Sequence, residues 1–128
     1  MKYLLDTHTV LWFLEGQSRL SENVKQVLND NLSSDLYVSI ASLWEMVIKE
    51  SVGKLEFNLT TSDFIKKLKE NDMTLIGISP EHIEHIKTLP FHHRDPFDRL
   101  LIATAQIENM IFLTSDEHIH QYAVQWIW

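Results

Sequence analysis

Short apolar runs alternate along this chain with stretches in which apolar residues fall three and four positions apart, the respective periods of buried strands and amphipathic helices. Tyr3-Leu4-Leu5 reads as a first strand, and 8–15 as a short helix stopped at Gly16. Val24, Val27, Leu28 and Leu32 give a helix over 22–32, followed by a strand at 36–38 and a helix over 39–52 that ends at Gly53. Phe64, Ile65 and Leu68, set against Lys66, Lys67 and Lys69, predict an amphipathic helix over 61–71, with a strand at 73–78. Ser79-Pro80 and Asp95-Pro96 each place an N-cap and a first-turn proline ahead of a helix, over 81–89 and 97–109. Strands at 111–113 and 124–128 flank a short helix over 116–121. Five short strands separated by helices predict an α/β fold with a mostly parallel sheet covered on both faces. No repeat or linker divides residues 1–128, so a single domain is expected.

Composition narrows the class. The chain has 128 residues, 45% of them apolar, with three Gly and three Pro, enough for one core and unlike a disordered or fibrous chain. The absence of Cys excludes disulfides and thiolate chemistry and fits a reducing compartment. One Lys and three apolar residues before Asp6 are too short for a signal peptide, and no apolar run approaches the ~18 residues of a spanning helix. A soluble, cytoplasmic protein is expected, with no membrane partner. The net charge of −7 argues against a general polyanion binder but leaves room for a nucleic-acid enzyme that clusters its acids around metal ions.

The acids are where the pattern becomes chemical. Asp6 ends the first strand, Glu45 lies on the helix entered from the second, Asp98 opens the helix of HHRDPFDRLLIATA, and Asp116 follows IFLTS, with Ser115 beside it. Ligands of open parallel sheets bind beyond the carboxyl ends of the strands, so all four could converge there. Two carboxylates ~5 Å apart at an effective dielectric of ~20 repel by about 3 kcal/mol, so convergence calls for a cation. Oxygen ligands favour Mg²⁺ or Mn²⁺, which suit phosphoryl chemistry. Each acid also has a structural role open to it. Glu45 completes a Ser-x-x-Glu capping box with Ser42 unless Ser39 is the cap; Asp95 and Asp98 fit N-cap and N3 positions; Asp116 and Asp6 can each cap the helix that follows.

Around these acids, Lys49, Lys54, Arg94 and Arg99 are placed to hold phosphates, or to remain ordinary solvated charges. His8, His92 and His93 lie beside the acidic segments as possible substrate contacts, and His8 could equally pack against the first helix. His82, His85, His118 and His120 lack a tight zinc pattern and are expected on the surface. Trp12, Phe13, Trp44, Trp126 and Trp128 are expected mainly in the core, although the terminal Gln-Trp-Ile-Trp is apolar enough for an interface.

Taken in order, LLDTHTVLWFL, VSIASLWEMVIKESVGKL and FHHRDPFDRLLIATAQIENMIFLTSDEHI resemble the PIN-domain ribonucleases, specifically the VapC-type toxins of type II toxin–antitoxin pairs. The resemblance covers nearly the whole chain. It implies a three-layer α/β/α sandwich and a Mg²⁺- or Mn²⁺-dependent endoribonuclease that leaves a 5′-phosphate and a 3′-hydroxyl. The family's acidic quartet falls on Asp6, Glu45, Asp98 and Asp116, with Asp6 and Asp98 as the main metal ligands and Glu45 and Asp116 completing the site. Asp95 falls outside that quartet and is kept as a supporting residue. His8, Lys49, Arg94, Arg99 and Ser115 are further candidates for supporting the site or contacting substrate. The resemblance also implies a homodimer and a cognate antitoxin covering the site and nearby apolar helices, with Leu11 and Trp12 as contacts. Two alternatives stand beside it. A noncatalytic PIN-like scaffold would share these residues, whereas a phosphoryl-receiver domain would need a lysine after a late strand, and none follows Lys87.

Overall fold

The computed structural model describes residues 1–16, 18–30, 35–54 and 58–128. Five strands, β1 (Tyr3–Leu5), β2 (Leu36–Ser39), β3 (Thr74–Ile76), β4 (Ile111–Leu113) and β5 (Trp126–Ile127), form one sheet in the order β3-β2-β1-β4-β5. Every neighbouring pair is parallel, with Leu5 in register with Val38 on one side and Leu113 on the other. The helices among the described residues are α1 (Thr7–Leu14), α2 (Glu22–Asp30), α3 (Ile40–Ser51), α4 (Thr61–Glu70), α5 (Pro80–His85), α6 (Pro96–Ile107) and α7 (Glu117–His120). The predicted elements are all present with ends shifted by a few residues. The helix expected over 81–89 tightens into a 3₁₀ turn at Ile86–Thr88. The end of the helix expected over 22–32 lies outside the described residues.

Alternation along the strands builds two cores. Tyr3, Leu5, Leu36, Val38, Ile111 and Leu113 face one core, which they share with Val10, Val24, Leu43, Met46, Phe64 and Leu68 from α1 to α4. Leu4 and Phe112 face the other, closed by Leu100, Leu101, Ile102 and Ala103 of α6 and Ile119 of α7. This is the expected three-layer sandwich, because strands buried on both faces need helices on both. The chain moves from β1 to β3 with its helices on the first face, then returns through α6 to β4 on the other side of β1. After neighbouring β1 and β4, the chain therefore leaves toward opposite faces, and a crevice opens between their carboxyl ends.

Several side chains depart from expectation. Trp44 is 57% exposed and Trp126 is also exposed, so neither belongs to the core. Ile40, Trp44, Val47, Ile48 and Val52 form an exposed apolar row on and just beyond α3, whose inner face already buries Leu43 and Met46. Leu11, expected to meet a partner, is buried in the first core. His82, expected on the surface, is 2% exposed; its ring accepts the Ser79 backbone N–H and meets Glu108 at 2.8 Å, tying α5 to α6.

Candidate active site

The carboxyl edge of the sheet gathers the N-termini of α1, α3, α6 and α7, each capped by a side chain there. Asp6 Oδ1 accepts the Thr7 N–H at 2.8 Å, while its Oδ2 accepts the Thr114 hydroxyl at 2.7 Å. Asp6 is thus both a cap and a buried carboxyl turned toward the β4 end. Ser39 caps α3 through the Ala41 N–H, and Ser42 instead shares a hydrogen bond with Thr7. The capping-box role for Glu45 is excluded by this arrangement. Its carboxylate is left beside Lys49 at 3.9 Å, one helical turn on.

At α6 the two neighbouring acids divide the work. Asp95 Oδ1 accepts both the Phe97 and Asp98 N–H groups, at 2.9 and 3.1 Å, and so caps the helix. Asp98, relieved of that role, turns its Oδ2 toward His93 Nε2 at 3.1 Å. Asp116 Oδ1 accepts the His118 N–H at the start of α7.

The charges of the other three acids and of Asp95 reach the Asp98 carboxyl. The Asp98 carboxyl is pushed up from 3.8 to about 8, first by burial and then by the negative charges of Asp6, Asp95, Asp116 and Glu45. Asp6 is also raised, mainly by burial and against the hydrogen bonds from Thr114 and Thr7, with Asp116 adding to the rise. Burial lowers His93, against the pull of Asp116. All four predicted acids, and Asp95 with them, therefore act on one small region. The donor chemistry suits a hard cation, whose charge would relieve this repulsion. Among the described residues no three His, Asp or Glu side chains close on a single point as a ready cage for an ion.

The flanking candidates divide. His8 is exposed beside the Trp12 ring, and its charge lies near enough to lower the Asp6 carboxyl. Lys49 is paired with Glu45, Arg94 is exposed over the Phe91 ring, and Ser115 is exposed beside Asp116. Arg99 cannot hold phosphate as expected. It is 5% exposed and donates to the carbonyls of Pro90, Leu89 and Ile86 and to the Tyr122 hydroxyl, because a guanidinium has five donors to satisfy once buried. The pattern alone did not reveal Thr114, Ser42 or Tyr122, since their roles depend on partners far along the chain.

The PIN domain family matches residues 3–125. The chain belongs to the PIN domain family. Among solved structures, this PIN domain is similar to a chain of DNA-bound VapBC from Salmonella typhimurium, with a TM-score of 0.71 and 14% identity over 99% of this chain and 97% of that one. It is similar to a chain of VapBC2 from Rickettsia felis bound to a promoter DNA fragment, with a TM-score of 0.70 and 17% identity over 99% and 98%. It also resembles a chain of FitAcB from Neisseria gonorrhoeae, with a TM-score of 0.64 and 18% identity over 98% and 96%. At these identities the likeness is one of fold. No significant match was found among curated proteins. No helix among the described residues is long and apolar enough to cross a membrane.

Proposed function

We propose that this PIN domain is a Mg²⁺- or Mn²⁺-dependent endoribonuclease and the toxin of a type II toxin–antitoxin pair. The observation that carries the reading is the placement of Asp6, Asp98 and Asp116 at the carboxyl edge of the sheet, where burial and the charges of Asp6, Asp95, Asp116 and Glu45 push the Asp98 carboxyl up to about 8. An acid cluster under that repulsion is primed to take up a divalent cation. Asp6 and Asp98 would be its main ligands, with Glu45 and Asp116 completing the set directly or through water. When bound, the ion supplies a water of lowered pKa and charge stabilisation at the leaving oxygen.

The chain's own groups do the rest. Thr7 and Thr114 fix the Asp6 carboxyl by hydrogen bonds to its two oxygens. Glu45 or Asp116 orients the attacking water for in-line displacement. Arg94 and Lys49, on the rim, hold flanking phosphates and steer an RNA toward an otherwise acidic chain. The products would carry a 5′-phosphate and a 3′-hydroxyl. The likeness to chains of VapBC complexes supports an antitoxin partner. The exposed α3 row supports a protein partner or a second copy of the chain.

The test is to incubate the purified protein with structured RNAs and Mn²⁺, beside Asp6→Asn and a chelator control. Cleavage by the wild type alone, lost with chelator, is expected. Equal cleavage by both proteins, or none by either across varied RNAs, would remove the reading. The noncatalytic scaffold keeps one observation in its favour, the lack of a ready cage among the described residues. It predicts unchanged partner affinity in Asp6→Asn and no specific Mn²⁺ uptake by calorimetry.

A further inference from the structure

We propose that His93 is a positioning residue for this reaction: its Nε2–H holds the Asp98 carboxyl in its working orientation, and Tyr122 and Arg99 hold the His93 ring. The catalytic consequence rests on the nuclease reading above, but the positioning rests on hydrogen-bond geometry in the chain itself.

Tyr122 is buried in the second core. Its Oη accepts from Arg99 Nη1 at 3.0 Å and from the His93 backbone N–H at 3.3 Å, which fills both lone pairs. One hydroxyl proton remains, with two acceptors in reach: His93 Nδ1 at 2.9 Å and the His93 carbonyl at 3.3 Å. The nearer acceptor takes it. With Nδ1 accepting, a neutral imidazole carries its hydrogen on Nε2, and that hydrogen points at Asp98 Oδ2 at 3.1 Å.

Arg99 makes the chain of bonds directional. Its guanidinium is anchored by the Pro90 carbonyl at 2.8 Å and the Leu89 carbonyl at 3.3 Å, so it reaches Tyr122 as a fixed donor with no accepting capacity. The His93 ring is also stacked on His118, with centroids 5.4 Å apart and planes 6° from parallel. A ring held at both nitrogens and on one face has its rotamer set before any ligand arrives. Partners that orient a metal-ligating group typically cost 10- to 100-fold in metal affinity or activity when removed, about the scale expected here.

The rival is that His93 only pins the segment before α6 to Tyr122. Two substitutions separate the roles, because a Gln amide falls near the imidazole Nε2 position and an Asn amide near Nδ1. His93→Gln keeps the donor to Asp98 and loses Tyr122, while His93→Asn does the reverse. On the positioning reading, Mn²⁺ affinity read by electron paramagnetic resonance stays within about 3-fold of wild type in His93→Gln and weakens about 10-fold or more in His93→Asn. The carboxyl ¹³C resonance of Asp98 in metal-free protein shifts in His93→Asn and holds in His93→Gln, with both variants folded by thermal melting. Wild-type behaviour in His93→Asn, or equal loss in both variants, would overturn the inference. If the wild type takes up no Mn²⁺, the nuclease reading is what fails, and the Asp98 resonance alone decides the positioning of Asp98 by His93.

Discussion

Thr7 and Ser42 share a hydrogen bond, 2.8 Å between their hydroxyl oxygens, that joins the first turn of α1 to the first turn of α3. Both residues are buried. The bond fixes the separation between the element that carries Asp6 and the one that carries Glu45. Replacing Ser42 by Ala strands the Thr7 hydroxyl away from water, which costs about 1–3 kcal/mol. Ser42→Ala is expected to melt several degrees lower and to cleave RNA more slowly. A melting curve and a cleavage time course check both.

Asp98 sets a pH dependence. Its folded-state value of about 8 lies above the ordinary 3.8, so the folded protein holds a proton that the unfolded chain releases. The stability of cation-free protein therefore falls as pH rises between about 4 and about 8. Asp98→Asn removes the penalty. In chelator at about pH 8 this variant is expected to melt several degrees above wild type, on the order of 1–3 kcal/mol, and the two should converge near pH 4. Mn²⁺ should raise the melting temperature of wild type and leave Asp98→Asn nearly unmoved. Parallel pH profiles for the two proteins would contradict the assignment.

Arg94 and Arg99 stand five residues apart and separate surface chemistry from architecture. Arg94→Ala removes an exposed charge; stability should change by less than about 0.5 kcal/mol, while the salt slope of RNA binding falls by about 0.7. Arg99→Met leaves the carbonyls of Pro90 and Leu89 and the Tyr122 hydroxyl without their donor, a loss on the order of 3 kcal/mol. Filter binding across salt concentrations and chemical denaturation distinguish the two outcomes.

Asp6→Asn is expected to keep the fold, because an Asn oxygen can still accept the Thr7 N–H and its amide can face Thr114. Cleavage should fall at least 100-fold, roughly the upper end for loss of a supporting group at a metal site. A large drop in melting temperature would mean that Asp6 serves the helix more than the chemistry.

The layered fold was legible because strand alternation and helix caps are local. Leu4 against Tyr3 and Leu5 already divides the two faces, and Asp95-Pro96 already starts α6. The placement of Asp6, Asp98 and Asp116 at one edge of the sheet was legible from topology, since each follows a strand or opens a helix there, while Glu45 lies on the helix entered from β2. What lay hidden was decided by contacts distant in sequence. Arg99 looks like a surface cation until the carbonyls of the preceding turn close around it. His82 looks solvated until Glu108 meets it across 26 residues. Trp44 looks like core until α3 buries Leu43 and Met46 instead, turning the indole outward against Phe97.

The order of the strands also bears on how the site comes into being during synthesis. β1 is translated first yet occupies the middle of the sheet, and Asp6 meets Thr114 only 108 positions later. Until β4 is made, the nascent chain carries Asp6 with no crevice to place it in. A chain stopped before β4 lacks Thr114 and Asp116, so the acid cluster cannot be complete until that strand pairs with β1.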